Sequence, residues 1–400
     1  MEKNKFQYLP FLAAALLFLY IDPYFMWKIH NGTHLYEIFN LFLLFIFVKY
    51  IDIRNRVGLF ILFILILLYV PFSQGKNHNV YILTMSLCAI PFINKNKAII
   101  TYDYFLTIYS VIISISGIVW LLSLVGLIPS MGMIEPLNKL KSYNYIEYPF
   151  LVVTNSSAYY RFNGPFDEPG VVGTMNILIL TISKYNLRDK RLWPILITGF
   201  FSFSFFFYAM ILVYYLFVPL VKKNSKKSFL ITFVIIALII LTYNNAFFHD
   251  MIWSRFEWDD SNGKLAGDNR VTDAAWLLFY STFMTKEFFW GVNNYSLYEA
   301  DFYSYASIVL PLLKYGVVFV GSYILFFVWY GYTNKKRLID YVLFLLVFVG
   351  TIYQRPFLTE PEFIFCFSLM AANIISNEDS NVNIQTRQFH VQKHKSNIFH

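Results

Sequence analysis

Residues 192–221 read LWPILITGFFSFSFFFYAMILVYYLFVPLV, a run without a single charge. A helix crossing the hydrocarbon core needs about 20 apolar residues. The run is therefore either one long tilted helix or two short ones turning around Ser202-Phe203-Ser204. The flanks decide between them: Lys184, Arg188, Lys190 and Arg191 come before, and Lys222, Lys223, Lys226 and Lys227 come after. Basic residues in short loops favour the cytoplasm, so both ends face the same side and a pair of short helices enters and returns. Segments shorter than the bilayer is thick are tolerated where other helices enclose them.

Working outward, further apolar runs lie near 8–27, 35–51, 57–72, 79–93, 103–128, 169–184, 229–244, 303–331, 338–354 and 357–375. With the pair counted as two, the expectation is an all-α polytopic membrane protein of about twelve transmembrane helices with both termini cytoplasmic. The first run follows Lys3 and Lys5 and lacks a small-residue cleavage site, so it reads as an uncleaved signal-anchor helix. Composition agrees: of 400 residues, 58% are hydrophobic and 14% charged, against about 25% charged in an ordinary soluble protein. Assigned cytoplasmic segments carry 21 Lys+Arg and 7 Asp+Glu, the remainder 11 and 17, closing on totals of 32 and 24. Residues 1–375 form one polytopic domain with outer loops at about 129–168 and 245–302, and the polar stretch 376–400 is a disordered cytoplasmic tail.

These features exclude several classes. Cys88 and Cys366 are too few and too far apart for a zinc cluster or a disulfide framework. The net charge of +8 is scattered between hydrophobic segments and forms no stripe for nucleic acid. His30, His34 and His78 have no metal-ligand spacing, so neither metal nor cofactor is expected. The cytoplasmic segments are too short for a nucleotide-binding domain, and there is no Gly-rich phosphate loop. Any transfer chemistry would need a lipid-carried donor reached from outside.

The outer loops hold the candidate chemistry. The first ends in Arg161-Phe162-Asn163-Gly164-Pro165-Phe166-Asp167-Glu168-Pro169-Gly170, directly before a membrane helix. Read plainly this is a capped helix entrance, with Pro169 in the first turn and the acidic pair at the positive end of the dipole. Read for function, Arg161 supplies a cation for phosphate and Glu168 a carboxylate for proton transfer. The second loop contains Arg255 and then Gly267-Asp268-Asn269-Arg270 ahead of an amphipathic helix over Val271–Met284. The dipole disfavours a cation at Arg270, which needs Asp268, Asp273 or a bound anion as partner. Arg355 stands at the outer end of the eleventh segment, either joining this group or snorkelling to the interface. Lys314, inside a segment, is costly there unless functional or paired. His249 beside Asp250 is an oriented base or an incidental loop histidine.

The order of these features resembles the Wzy-type polysaccharide polymerases and O-antigen ligases. It rests on the Arg161–Gly173 stretch, the Ser-containing short pair and a large outer loop. In that loop an arginine precedes an amphipathic helix, followed by Phe289-Trp290-Gly291-Val292-Asn293-Asn294 and a late helix with Leu313-Lys314-Tyr315-Gly316. The match covers roughly Tyr159 to Leu325. The resemblance implies a GT-C-like membrane fold in the bacterial inner membrane. It implies glycan transfer between undecaprenyl-diphosphate-linked donor and acceptor, and a chain-length regulator and a flippase as companions. Arg161 and Arg270 match the essential arginines of the two loops. They would bind diphosphate with Arg255 and Arg355, while Glu168, or else Asp268, takes the hydroxyl proton. Ligases often carry a histidine late in the second loop, where Tyr298–Tyr305 has acidic and tyrosine residues; this favours a polymerase. A lipid-linked oligosaccharide flippase, an O-antigen ligase and a peptidoglycan-type glycosyltransferase are the alternatives. Cysteine placed at Arg161 or Arg270 should react with an impermeant reagent from outside; reaction only from the inner face would remove the reading.

Overall fold

The computed structural model describes residues 7–30, 42, 46, 95–136, 143–155, 160–221, 233, 237, 240–251, 253–260, 264–265, 273–293, 308–334, 338–354 and 369. Helices make up 70% of the interpretable residues, so the class is mostly helical. In chain order come α1 (Tyr8–Tyr20), α2 (Tyr24–His30), α3 (Lys95–Leu124), strands β1 (Gly132–Ile134), β2 (Tyr145–Tyr148) and β3 (Leu151–Thr154), and α4 (Pro169–Ile182). Then follow α5 (Leu192–Phe201), α6 (Phe205–Val221), α7 (Ala246–Met251), β4 (Trp258–Asp259), β5 (Lys264–Leu265), α8 (Asp273–Thr282), α9 (Lys286–Trp290), α10 (Val309–Asn334) and α11 (Leu338–Gln354). The expected runs 35–51, 57–72 and 79–93, most of 229–244 and 357–375, and the tail fall outside the described residues.

Two expectations need correction. The run 8–27 is not one helix: Asp22 takes a left-handed φ of 60° before Pro23, and the chain restarts as α2. A residue before proline is pushed away from helical backbone, and proline itself has no N–H to continue one. The loop 129–168, in turn, departs from the all-α expectation, because it carries strands. β1, β2 and β3 form an antiparallel sheet in that order, with Tyr145 opposite Thr154 and Tyr148 opposite Leu151. The aromatic and β-branched content of these strands suits a pleated, half-buried surface. Pro149-Phe150 makes the turn, and the Phe150 carbonyl accepts from Ser116 Oγ on α3 at 2.5 Å.

The helix α4 is the hub. It is apolar on all sides, and every residue from Val172 to Ile182 is buried, as expected for a helix without a polar face. Its one amide, Asn176, is fully buried and fully used. The Tyr109 hydroxyl of α3 donates to Asn176 Oδ1 at 2.7 Å, while Nδ2 donates to the Ile195 carbonyl at 2.9 Å and to Thr198 Oγ1 at 3.0 Å on α5. Below this, Arg191 donates to Asp189 and pairs with Asp103 of α3 at 2.8 Å. Burial alone would raise the Asp189 pKa, but the Arg191 hydrogen bonds outweigh it and hold the carboxyl below its usual range.

By length and composition, among the described residues only Lys97–Leu124 can cross a bilayer alone; Val309–Gly321 with Tyr323–Trp329, bent by 47°, makes a second if counted as one broken span. Several helices carry large hydrophobics on their outer faces at the i, i+4, i+7 spacing. These are Val111, Ile115 and Ile118 on α3, Trp193, Ile197 and Phe200 on α5, and Leu325, Trp329 and Tyr332 on α10.

Asn176→Ala should cost about 1–2 kcal/mol of stability, since it strips the buried Tyr109 hydroxyl and Thr198 of a partner. Unfolding the detergent-solubilised protein with a denaturing detergent measures this. Adding Tyr109→Phe to Asn176→Ala should cost little more, and a fully additive second loss would show that the two do not act as a pair.

Candidate functional site

The pair predicted at 192–221 is present. Ser202, Phe203 and Ser204 make the turn between α5 and α6, with Phe203 left-handed at φ 48°. The direction of each helix follows from its contacts. α5 runs back along α4, since Ile195 and Thr198 meet Asn176 and the turn then reaches Gly173. α6 returns the way α4 runs: the Tyr214 hydroxyl donates to the Lys184 carbonyl at 2.8 Å, and the Tyr185 and Tyr214 rings stack at 3.9 Å. The start of the pair and the middle of α6 thus lie on one side of the fold, and the Ser202–Ser204 turn lies on the other.

Onto that turn comes the loop 160–168. The last carbonyls of a helix have no intrahelical donor, and here Arg161 supplies them. Its Nε donates to the Ser202 carbonyl at 3.2 Å, and Nη2 donates to Ser202 at 3.1 Å and Phe203 at 3.2 Å. The Phe162 N–H donates to the Phe201 carbonyl at 2.9 Å. Phe162 is buried beneath Trp120, which also packs on Phe201. The loop is then pinned along its length: Gly164, at φ 59°, accepts from the Val152 N–H of β3, Pro165 from the Tyr24 N–H of α2, and Asp167 from the Tyr145 hydroxyl of β2. Glu168 is the N-cap of α4 with extended backbone; Pro169 is in the first turn as expected, and the Glu168 side chain makes no capping bond.

One turn into α4, Gly173 lets the turn approach. A Cβ there would stand 2.2 Å from Ser204 Cβ and 2.6 Å from Ser204 Oγ. Arg161 and the first turn of α4, at Gly173, therefore border the same three-residue turn. Ser204 Oγ and Asn163 Oδ1, both buried there, make no hydrogen bond among the described residues. The far end of α11 reaches the same level, because a Cβ on Gly350 would meet the Phe206 ring at 2.7 Å.

The loop expected at 245–302 has its own anchor. The two stretches singled out in the sequence, Phe289–Asn294 and Leu313–Gly316, meet. Gly316, at φ 80°, breaks α10, and a Cβ on it would lie 2.3 Å from the Phe289 carbonyl; one on Gly291 would lie 2.5 Å from the Lys314 carbonyl. The break frees the Leu313 carbonyl from its helix, and the Val292 N–H donates to it at 2.7 Å. Lys314 is half-buried, its Nζ 5.7 Å from the Tyr315 ring centre. His249 faces Glu257 at 3.4 Å and Asp250 at 3.9 Å, all partly exposed. Asp268, Arg270 and Arg355 lie outside the described residues, as does the side chain of Arg255. Among the described residues no three His, Cys, Asp or Glu side chains gather as metal ligands.

No protein-family model, curated protein or solved structure matches the chain. The sequence reading did not identify Ser202 and Phe203 as the receptors of Arg161, nor Gly173 as the point of approach. The signal was available: a glycine one turn into a helix, and serines at the only break in a long apolar run.

Gly173→Ala should lower stability by about 1–3 kcal/mol by forcing the turn off α4. Ser204→Gly, which removes the opposing atoms, should restore most of that loss in the double variant. Thermal unfolding in detergent reads both, and an unrescued double variant would show that this contact is not the one that matters.

Proposed function

We propose that the protein is a polysaccharide polymerase of the bacterial inner membrane. It would join undecaprenyl-diphosphate-linked oligosaccharide repeat units on the extracytoplasmic face. The observation that carries the reading is the meeting of Arg161 and Gly173, one helical turn past the Glu168 N-cap of α4, at the turn of a charge-free helical pair. The outward apolar stripes on α3, α5 and α10 support a bilayer as surroundings, since water disfavours patches of that extent. In this reading the chain has about twelve membrane segments and a GT-C-like arrangement, and the Ser202–Ser204 turn points toward the outer face. The companions expected of such an enzyme are a flippase that delivers the units and a chain-length regulator.

A hydroxyl of one lipid-linked unit attacks the anomeric carbon of a glycan held on a second lipid diphosphate. The new glycosidic C–O bond forms as the bond to the diphosphate oxygen breaks, inverting the anomeric centre. The hydroxyl proton passes to Glu168, or to Asp268 from the second loop. The diphosphate leaves with the electron pair, its charge met by guanidinium groups. Arg161 suits this task because two carbonyls already fix the plane of its fork, so little reorganisation is needed when the charge develops. Arg270, Arg255 and Arg355 complete the clamp from the second loop and the end of the eleventh segment.

The test is incubation of purified protein with a defined undecaprenyl-diphosphate repeat unit, without metal or nucleotide, scored for a ladder of products. Arg161→Ala and Arg270→Ala should each fold, reach the membrane and lower turnover by about 100- to 1000-fold. Arg161→Lys should recover little, because an ammonium cannot span both carbonyls as a planar fork does. Normal chain lengths from both alanine variants would overturn the mechanism. Lipid-linked units trapped on the cytoplasmic side of cells lacking the protein would point to a flippase.

A further inference from the structure

The helix α8 is apolar on two opposite sides. One side, Ala275, Leu278 and Phe279, packs against Val292 of the docked segment and Val309, Leu310 and Leu313 at the start of α10. At about 100° per residue, Trp276, Leu277 and Tyr280 fall on the opposite side, and Phe283 and Met284 extend it through the following turn. These five are exposed by 37%, 70%, 65%, 53% and 66%. No charge occurs from Ala274 to Met284. A helix apolar on both sides is ordinarily buried, yet this second side is exposed among the described residues, with the Phe283 ring at its end meeting Phe288 of α9 at 5.1 Å.

We propose that this second side of α8 is immersed in the outer leaflet of the bilayer, at the boundary between headgroups and acyl chains. The inference rests on the reading of α10 as a membrane span. Packing on the first turns of α10 fixes the depth of α8: a helix held against the outer end of a span lies at the headgroup level and cannot reach the hydrocarbon centre. The side-chain chemistry fits that level, because Trp276 and Tyr280, stacked with ring centres 5.6 Å apart, join an apolar body to a polar tip. The consequence concerns the site. Arg270 precedes α8 by three residues, which span about 10 Å at most, so a membrane-held α8 keeps that guanidinium near the depth of a lipid-borne diphosphate.

The experiment uses the full chain with Cys88→Ser and Cys366→Ser, reconstituted in nanodiscs of phosphatidylethanolamine and phosphatidylglycerol. A single cysteine is introduced by Leu277→Cys or Leu325→Cys and labelled with an environment-sensitive dye. Leu325 is an exposed position in the middle of α10 and reports on the span itself. The expected result is severalfold quenching at both positions by lipid carrying a nitroxide on its acyl chain, stronger at position 277 for a nitroxide near the headgroup, with little quenching by aqueous iodide. Lipid quenching at 325 with iodide quenching at 277 would overturn the inference and leave the membrane reading standing. Shielding of 277 from both quenchers would also overturn it, showing that protein covers this side. Loss of lipid quenching at both positions would remove the inference together with the span.

Discussion

A helix that stops inside a protein leaves its last carbonyls without donors, and in apolar surroundings each costs several kcal/mol if unmet. The end of α5 is such a place, and the way it is satisfied governs the arrangement around it. The Arg161 guanidinium and the Phe162 N–H close the carbonyls of Phe201, Ser202 and Phe203. Because those donors come from the loop before α4, the loop cannot move without unsealing the turn. The loop is held from its other side by α2, β2 and β3, so the small sheet, the broken first helix and the hairpin turn form one mechanical unit.

The arrangement reconciles two uses of one arginine. Carbonyl dipoles orient the guanidinium but do not remove its charge, and helix C-terminal dipoles favour a cation. Under the proposed function, a positive charge held in place at a turn with buried serine and asparagine oxygens would be suited to meeting an anion whose charge grows during reaction. The same geometry explains why the pair 192–221 is short. One straight helix would carry Ser202 and Ser204 past α4, whereas the return sets both, still buried, at a tip beside Gly173 where the loop donors reach the freed carbonyls.

Much of this was legible in the chain, and what was not has identifiable causes. The return of the short pair followed from lysines and arginines at both flanks, the helix at 338–354 from its apolar run, and α4 from Pro169 and the acidic residues before it. The break at Asp22-Pro23 was missed because hydropathy averages over a window and a proline counts little in that average, though its steric effect is local and decisive. The sheet was missed for a related reason. Tyr145–Tyr148 and Leu151–Thr154 are only four residues each, too short to stand out in a chain expected to be all-α, although Pro149 between two β-branched or aromatic stretches marks a hairpin. Arg161 was singled out for its charge, but its receptors are backbone carbonyls, which carry no side-chain signature at all.

The second outer loop illustrates how two unrelated-looking motifs can be one feature. Gly316 is needed because the chain there takes φ 80° with the Phe289 carbonyl only 2.3 Å from where a Cβ would be, and Gly291 is needed because the Lys314 carbonyl stands equally close to it. Neither glycine makes sense alone: each removes the side chain that would keep the other's backbone away. The break they permit turns a helical carbonyl into an acceptor for the loop, so the kink of α10 at Gly316 and the docking of Phe289–Val292 are a single event. Whatever tilts α10 at that bend must therefore shift α9 and, through Ala275 and Val292 packed with Leu313, shift α8 as well. The segment 273–293 is in this way geared to α10, while the loop that carries Arg161 is geared to the tip of the short pair.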